Sequence, residues 1–366
     1  MKGLSRNQSR KNEKITQISW SNTHFKEIVP RTYEMIKRGV FEPGKLVTHT
    51  AYYEDLDAMQ DIFAKSNDKT DGYIKSGVRE EKPMDFPRTM VGGVSLPRMI
   101  IGCNWISGFS HTGAAGDNMI RKAHQDPAST AAIFETFLNQ GIDAVLGLFN
   151  VDPNLKKAVD MAQDKTGKKM ILIDEPVLNM DDNPMARMEA EQEIKKCAAN
   201  GATFCLPLHS CVEQLMNKNK KTMDRLPDYL AMIRDAGMIP GLSAHMPEVI
   251  QYADLNDYDV ETYIQIYNCM GFLMQVEIES VIKIIHAAKK PVITIKPCAA
   301  GRTTPFVGLN FSYNTIREQD MVCIGCFNEE EAAEDIEFAR AAIERRLPRN
   351  EGRNSPLKTD VIKGAV

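Results

Sequence analysis

Eight short apolar segments recur between residues 98 and 326, and stretches with helical spacing separate them. Strands that alternate with helices pair in parallel, and eight such units are enough to close a barrel. The sequence therefore predicts an α/β fold, a (β/α)8 TIM barrel preceded by an opening hairpin and a small N-terminal β-α-β appendage. The predicted barrel strands are residues 98–104, 144–150, 169–175, 203–209, 238–245, 263–268, 291–296 and 321–326.

The chain has 366 residues, more than the roughly 250 of a single barrel. Gly92-Gly93, between two apolar arms, indicates the opening hairpin. The predicted organisation is a flexible N-terminus at 1–24, a small α/β appendage with linker at 25–87, the barrel at 88–346 and a polar tail at 347–366. Within the appendage, 45–53 and 72–78 are predicted as strands, and 25–40 and 55–64 as helices.

Helical spacing and stop signals also locate the barrel helices. Glycine or asparagine closes several of them in the left-handed conformation that ends a helix. The predicted helices are 129–140, 155–163, 184–199, 223–236, a short one from Pro247-Glu248, 278–288 and 329–346. The connection 105–128 is longer than the usual 2–6 residues and rich in small side chains, which favours a lid or binding loop.

Composition excludes several classes of function. A net charge of −4 gives no general attraction to nucleic acid or to an anionic membrane. No run approaches the ~18 apolar residues of a membrane helix, and the basic N-terminus lacks the apolar core of a signal peptide. We expect a cytoplasmic enzyme with a small-molecule substrate. The eight cysteines, which include a CxxC at Cys323 and Cys326, are expected to be buried reduced thiols.

Ionisable side chains end three consecutive predicted strands. They are Asp174 and Glu175, His209, and His245. The carboxyl ends of barrel strands form the active face, so these residues can work as an acid/base pair. His209, His245 and Glu175 can alternatively hold a divalent metal. Alternation along a strand sends Asp174 and Glu175 to opposite sides, and either histidine can instead serve only to hydrogen-bond loop backbone.

Other strand ends carry candidate binding groups. Lys296 follows an apolar run and can form a Schiff base if burial lowers its pKa, hold an anion, or pair with a carboxylate. Arg302 and Thr303 suit an anion site in the loop after the seventh strand. The remaining predicted substrate-binding residues are Asn104, Trp105, His111 and Asn268.

Six sequence motifs between residues 88 and 345 occur in the order of one known superfamily. They are VGGVSLPRMIIGCNW, ATFCLPLHS, GLSAHMPEVIQYA, DVETYIQIYNCM, KKPVITIKPCAAGR and DMVCIGCFNEEEAAEDI. Together they make this region resemble the aldo/keto reductases, in which the second motif ends in an active-site histidine, here His209. The resemblance implies a (β/α)8 barrel.

The same resemblance exposes departures at the active site. The family uses an aspartate and a proton-donating tyrosine after strand 2 and a lysine ending strand 3. Here Gly147-Leu148-Phe149-Asn150 and Asp174-Glu175 occupy those places. The family's phosphate-binding position carries Glu329-Glu330-Glu331, which would repel a phosphate. We therefore do not expect NADP, and the sequence identifies no other cofactor beyond the hypothetical metal.

A second resemblance lies further upstream. The segment GKLVTHTAYYEDLDAMQDIFAKSNDKTDGYIKSGV, within residues 28–78, resembles the C-terminal end of medium-chain zinc alcohol dehydrogenases. No glycine-rich nucleotide fingerprint precedes it. We expect this piece to cover the barrel or to form a homo-oligomer contact rather than to bind a nucleotide.

These observations leave three hypotheses for function. The first is a barrel enzyme that acts on a small polar metabolite, including an anionic one, by non-redox chemistry of the lyase, isomerase or hydrolase type. In that hypothesis His209, Asp174, Glu175 and Lys296 are the catalytic candidates. The second is a divergent aldo/keto reductase-like oxidoreductase, and the third is a non-catalytic barrel that binds a ligand or a partner.

Overall fold

The structure is a computed structural model. It describes residues 86–349 together with four strands nearer the N-terminus, and the chain divides into two compact units at residues 84 and 85. No helix in the described part of the chain combines the length and the apolar character needed to cross a bilayer.

The described strands of the first unit form two pairs. β1 (Leu4–Ser9) pairs antiparallel with β2 (Lys14–Trp20), in a segment for which the sequence predicts no regular structure. β3 (Val47–Tyr52) and β4 (Tyr73–Gly77) pair in parallel, at the two predicted extended segments. The predicted helices at 25–40 and 55–64 lie outside the described residues.

The second unit begins with the predicted hairpin. β5 (Arg88–Val91) and β6 (Val94–Pro97) pair antiparallel around Gly92 and Gly93, whose φ angles of 55° and 84° suit glycine best. Val91 and Leu96 of this hairpin belong to the same buried cluster as the inward-facing residues of the barrel strands. The hairpin therefore closes the barrel interior.

Parallel strands form the barrel, and the sequence prediction of this fold is confirmed. Their order in the sheet is β13, β10, β9, β8, β7, β17, β16, β15, β14. β13 (Ile239–Pro240) and β14 (Leu242–Ala244) are two parts of one pass, interrupted at Gly241. The others are β7 (Met99–Gly102), β8 (Ala144–Gly147), β9 (Ile171–Asp174), β10 (Ala202–Cys205), β15 (Tyr263–Ile266), β16 (Val292–Ile295) and β17 (Met321–Ile324).

The interruption at Gly241 has a steric cause. A Cβ atom at this position would lie 2.7 Å from Cγ of Leu206 and 2.8 Å from the carbonyl oxygen of Thr262. Only glycine lets the strand pass this closely between its two neighbours. A short ribbon of β11 (Met216–Asn217) and β12 (Thr222–Met223) lies outside the barrel sheet.

Helices surround the barrel, and most of the predicted ones are present. Residues 184–199 match in full, whereas the helix predicted from 223 begins at Leu226 because Thr222 and Met223 pair in the ribbon. The helices are α1 (Asn104–Ser107), α2 (Ala114–Ala123), α3 (Pro127–Asn139), α4 (Pro153–Thr166), α5 (Pro184–Ala199), α6 (His209–Gln214), α7 (Leu226–Asp235), α8 (Glu248–Leu255), α9 (Ile278–Ala287), α10 (Pro305–Thr315) and α11 (Glu329–Glu344).

One capping device recurs at the helix starts. A side chain of aspartate, asparagine or threonine precedes the helix and accepts a hydrogen bond from a backbone N–H of the first turn, which would otherwise lack a partner. Proline follows the cap in α3, α4, α5 and α10. The capping residues are Asp126, Asp152, Asn183, Thr304 and Asn328.

A buried polar network holds the barrel closed at its amino end. Asp320 is fully buried; it accepts hydrogen bonds from the backbone N–H of Val292 at 2.9 Å and from the Arg317 guanidinium at 2.7 and 2.9 Å. Arg98, just before β7, donates to the carbonyl oxygens of Asp320 and Arg317. These bonds join the starts of the first, seventh and eighth barrel strands.

Replacing the carboxylate should therefore destabilise the fold strongly. We expect Asp320→Ala to lower the free energy of unfolding by roughly 3–5 kcal/mol, because it leaves the buried N–H of Val292 without its acceptor and removes the carboxylate from the partly buried Arg317. Urea denaturation followed by circular dichroism measures this. The control is Asp160→Ala, whose exposed pair with Lys156 should cost at most about 0.5 kcal/mol. Equal losses in the two variants would contradict the role given to Asp320.

Candidate active site

A cavity of about 390 Å³ opens at the carboxyl end of the barrel strands. The ends of β7, β8, β16 and β17 form its base, and the loops after β7 and β16 form its walls. Seven of the sequence-predicted site residues line it: Asn104, Trp105, His111, Glu175, Lys296, Arg302 and Thr303. The other four, Asp174, His209, His245 and Asn268, lie outside this lining.

Asp174 and Glu175 point to opposite sides of their strand, as alternation predicts. Asp174 is fully buried, and its Oδ1 accepts a hydrogen bond from the backbone N–H of Phe149 at 3.2 Å. Burial raises the pKa of Asp174 to about 6, although a hydrogen bond with the Cys197 thiol opposes the shift. The structure thus separates Asp174 from the cavity and leaves Glu175 as the strand-3 carboxylate within it.

Glu175 and Lys296 are half-buried ionisable groups of opposite charge type at the base of the cavity. Burial raises the pKa of Glu175, while a hydrogen bond with Ser243 and the charge of Lys296 oppose that rise. Burial lowers the pKa of Lys296, and the nearby Glu175 and Cys323 oppose that fall. Within residues 86–349 the Lys296 ammonium forms no hydrogen bond or close ion pair. Both shifts favour the neutral forms, a carboxylic acid and an amine.

The backbone fixes Lys296 in an uncommon conformation. Its φ angle is +61°, in the left-handed region that disfavours residues with a side chain by roughly 1–2 kcal/mol. Helix α10 packs closely on the next residue, since a Cβ at Gly308 would lie 2.5 Å from the carbonyl oxygen of Pro297. This contact helps to hold the lysine where its strand ends.

His209 and His245 stack on each other beside the cavity. Their ring centroids are 3.7 Å apart and the ring planes differ by 14°. Glu213 orders this pair: its Oε1 accepts the backbone N–H groups of His245 and Met246 at 2.6 and 2.9 Å, and its Oε2 lies 3.8 Å from Nδ1 of His209. We predicted that His209 would work with a strand-3 carboxylate, but its carboxylate neighbour in the structure is Glu213.

Sequence analysis missed Glu213 because it assigned His209 to a strand. His209 is in fact the first residue of α6, and Glu213 follows it by one helical turn. The i, i+4 spacing of a histidine and a glutamate is the signal that could have found the pair.

The predicted metal site is not assembled. In the part of the chain that the structure describes, no three histidine, cysteine, aspartate or glutamate side chains form a group that could hold a metal ion. Ring nitrogens bind metals in the plane of the ring, and two nearly parallel stacked rings do not converge on one point with Glu175. As they are placed in the described part of the chain, His209, His245 and Glu175 do not form such a group.

The side chain of Asn268 forms hydrogen bonds within its own loop, and its predicted binding role stays a prediction. Asn268 is fully buried, and its side chain accepts the backbone N–H groups of Met270 and Phe272 and donates to the Phe272 carbonyl. These bonds fix the loop that carries Phe272 to the rim of the cavity. Arg302 stacks on the Phe272 ring at 4.0 Å, and the His111 ring approaches its edge at 6.3 Å.

The long connection after β7 contributes to the wall, as a binding loop would. It forms α1 and α2 instead of remaining irregular, and between them Phe109, Ser110 and His111 reach the cavity. Burial lowers the pKa of His111, and the charge of Lys296 lowers it further. Three further residues line the cavity that the sequence analysis did not predict as site residues: Glu331, Glu334 and Asp335 of α11.

Comparison with known proteins supports the architecture. Neither a known protein family nor a curated protein matches the amino-acid sequence. PA4992 from Pseudomonas aeruginosa, an assigned aldo-keto reductase, is similar in structure, with a TM-score of 0.52 at 12% identity over 70% of this chain and 96% of that one. At this identity the similarity shows the fold, a (β/α)8 barrel like that of the aldo-keto reductases.

Two other solved structures are more distant. Glycerol dehydrogenase from Gluconobacter oxydans has a TM-score of 0.48 at 10% identity, covering 74% of this chain and 99% of that one. Orotidine 5'-monophosphate decarboxylase from Methanocaldococcus jannaschii has a TM-score of 0.42 at 13% identity, covering 67% and 99%. Similarities this weak carry no argument about the chemistry of the site.

The histidine pair predicts a specific dependence of stability on pH. Burial and the neighbouring charges of His209 and Lys296 lower the pKa of His245 to about 3, whereas an unfolded histidine titrates near ~6.5. Between these values the unfolded chain binds the extra proton and the native protein does not. The free energy of unfolding should therefore fall as the pH drops through this range.

His245→Phe isolates this effect because it keeps the stacked ring and removes the titration. Between about pH 7 and about pH 4.5 the variant should lose less unfolding free energy than the wild type, as measured by urea denaturation. The raised pKa of Asp174 acts in the opposite direction, but it is present in both proteins and cancels from the comparison. Identical losses would show that His245 is not held neutral.

Proposed function

We propose that this protein is an enzyme that acts on a small polar carbonyl metabolite by non-redox acid/base chemistry, with Lys296 as its nucleophile. The observation that carries the proposal is the pair of shifted groups at the base of the cavity. Burial favours the neutral amine of Lys296 and the protonated acid of Glu175 in the same enclosed space. An amine must be neutral to attack a carbonyl carbon, and the reaction needs a group that moves protons beside it.

The proposed step is formation of an imine. The lone pair of Lys296 Nζ forms a bond to the carbonyl carbon, and the carbonyl electron pair moves to oxygen, which takes the proton of Glu175. Nitrogen then returns a proton to the Glu175 carboxylate. A second proton from Glu175 lets the hydroxyl leave as water while the C=N bond forms. One carbonyl and one amine give one imine and one water, and Glu175 ends the step as a carboxylate beside a protonated imine.

The cavity walls supply candidate binding groups for the rest of the substrate. Asn104, Thr303 and Arg302 offer an amide, a hydroxyl and a guanidinium on the lining. Arg302 is partly committed, since it stacks on Phe272 and donates to the Ala299 carbonyl at 3.1 Å. Trp105, beneath Gly301, gives the cavity an apolar surface.

The oxidoreductase hypothesis has less support. Among the described residues that line the cavity there is no tyrosine, the residue type that the resembled family uses as proton donor. The position after the third strand holds Glu175 rather than the family's lysine. The expectation that NADP does not bind stays a prediction. A purely structural barrel would also have no need to place two ionisable groups at the base of a cavity, where desolvation carries a cost.

Borohydride trapping tests the proposed nucleophile. The protein is incubated with butanal, pyruvate or dihydroxyacetone phosphate, reduced with sodium borohydride, and analysed by intact mass and peptide mapping. We expect a single adduct on Lys296, since burial lowers the pKa of its amine at the base of the cavity. Lys296→Arg should lose the adduct, and Glu175→Gln should slow its formation by roughly 10²-fold.

Lys290→Arg is the matched control, because Lys290 lies just before the same strand and pairs with Glu261 at 3.0 Å. It should retain the full adduct. Labelling spread over surface lysines, or unchanged in Lys296→Arg, would contradict the proposal.

A further inference from the structure

The cavity has an acidic end that imine chemistry at Lys296 does not use. Three carboxylates of α11, those of Glu331, Glu334 and Asp335, line it. The side chain of Glu331 also accepts the backbone N–H of Phe327 at 2.9 Å, a normal capping contact at the start of this helix. Capping does not account for Asp335, which lies in the second turn, beyond the unpaired N–H groups of the helix start.

Asp335 is the unusual member of the group. Its side chain is 3% exposed, yet it borders the cavity. Within residues 86–349 no group donates a hydrogen bond to it and no basic side chain pairs with it. A buried carboxyl group normally has such a partner, and one that lacks it inside a cavity marks a position where a ligand supplies it.

The chemistry of this end selects the kind of ligand. Three carboxylates repel an anion and attract a cation. The described side chains form no group able to hold a metal ion, so the arrangement suits an organic cation with N–H donors. The loop 296–298 joins the two ends of the cavity, because Cys298 lies two residues after Lys296 and also near Asp335. Burial raises the pKa of the Cys298 thiol most, and the charge of Asp335 raises it further.

We propose that the substrate carries a protonated amine as well as a carbonyl group, with the amine bound at Asp335, beside Glu331 and Glu334, and the carbonyl placed at Lys296. The position of the carbonyl rests on the function proposed above; the amine site does not. The amine donates hydrogen bonds to the Asp335 carboxylate, for which the described residues 86–349 supply no partner.

Proton release accompanies binding in this proposal. Burial, and then the charges of Glu331 and Glu334, raise the pKa of Asp335 well above its usual range. The thiols of Cys298 and Cys326, from the loop after β16 and the end of β17, are the other titratable groups facing it. An ammonium ion favours the carboxylate and displaces the proton.

Calorimetric titration with n-butylammonium chloride tests the site, with n-butanol as the uncharged probe of similar size and butyrate as the anionic one. We expect saturable binding of butylammonium at least tenfold tighter than that of either other probe. The observed heat should change between phosphate and Tris buffers, because a proton is released. Asp335→Asn, checked for folding by circular dichroism, should weaken butylammonium binding at least tenfold and abolish the buffer dependence.

Glu329→Gln is the matched control: it removes one charge from the first turn of the same helix, outside the cavity lining. It should bind butylammonium as the wild type does. Lys296→Met should also retain this binding, while it loses the borohydride adduct with butanal.

The two proposals fail separately. Trapping of butanal without preference for butylammonium would overturn the amine site and leave the nucleophile intact. Butylammonium binding that Asp335→Asn abolishes, without trapping on Lys296, would keep the amine site and overturn the proposed reaction. Equal binding of the three probes, or no buffer dependence in the wild type, would overturn the amine site irrespective of how the variants fold.

Discussion

The fold depends on the closure of the sheet, where the first barrel strand meets the last. β7 and β17 pair in parallel, with Met99 opposite Val322. At the amino end of this seam, Asp320 and Arg317 satisfy each other and the backbone groups around them. A closed sheet has no edge, so every strand gains two partners, and all the carboxyl ends meet at one rim. That rim is what brings Glu175 and Lys296, distant in sequence, into one cavity.

Burial then decides the chemistry of that cavity. The same loss of water raises the pKa of a carboxyl group and lowers that of an amine, so Glu175 and Lys296 shift towards each other. Their mutual attraction works against both shifts without cancelling them. A pair on the surface would instead carry full opposite charges and have little reactivity as acid and nucleophile.

The sequence predicted the barrel well because the signals are local. Short apolar strands, capped helices and Gly92-Gly93 depend on neighbours within a few residues. It predicted less where a side chain's role depends on distant packing. The apolar segment ending in His209 looks like one strand, but tertiary packing ends β10 at Cys205 and starts α6 at the histidine.

In the site, too, local features were predicted and features that depend on distant packing were not. Strand alternation predicted that only one of Asp174 and Glu175 would face the cavity, but not that Asn268 would be used by its own loop. Helix α10 was missed because Gly308 and the aromatic residues of PFVGLNFSYNT weaken its helical pattern. From the sequence, the acidic residues of α11 are explained as a cap of the helix start. No signal in the neighbouring residues indicates that Asp335 borders a cavity.

The left-handed backbone at Lys296 has a consequence for how this site can change. Glycine, asparagine and aspartate tolerate that conformation, whereas β-branched residues do not. Few residue types can therefore replace Lys296 without backbone strain. The strand before it, Val292–Ile295, is itself rich in β-branched residues and stiff, so it cannot readily relax to admit others. A related chain could therefore replace this lysine by only a few residue types without destabilising its barrel.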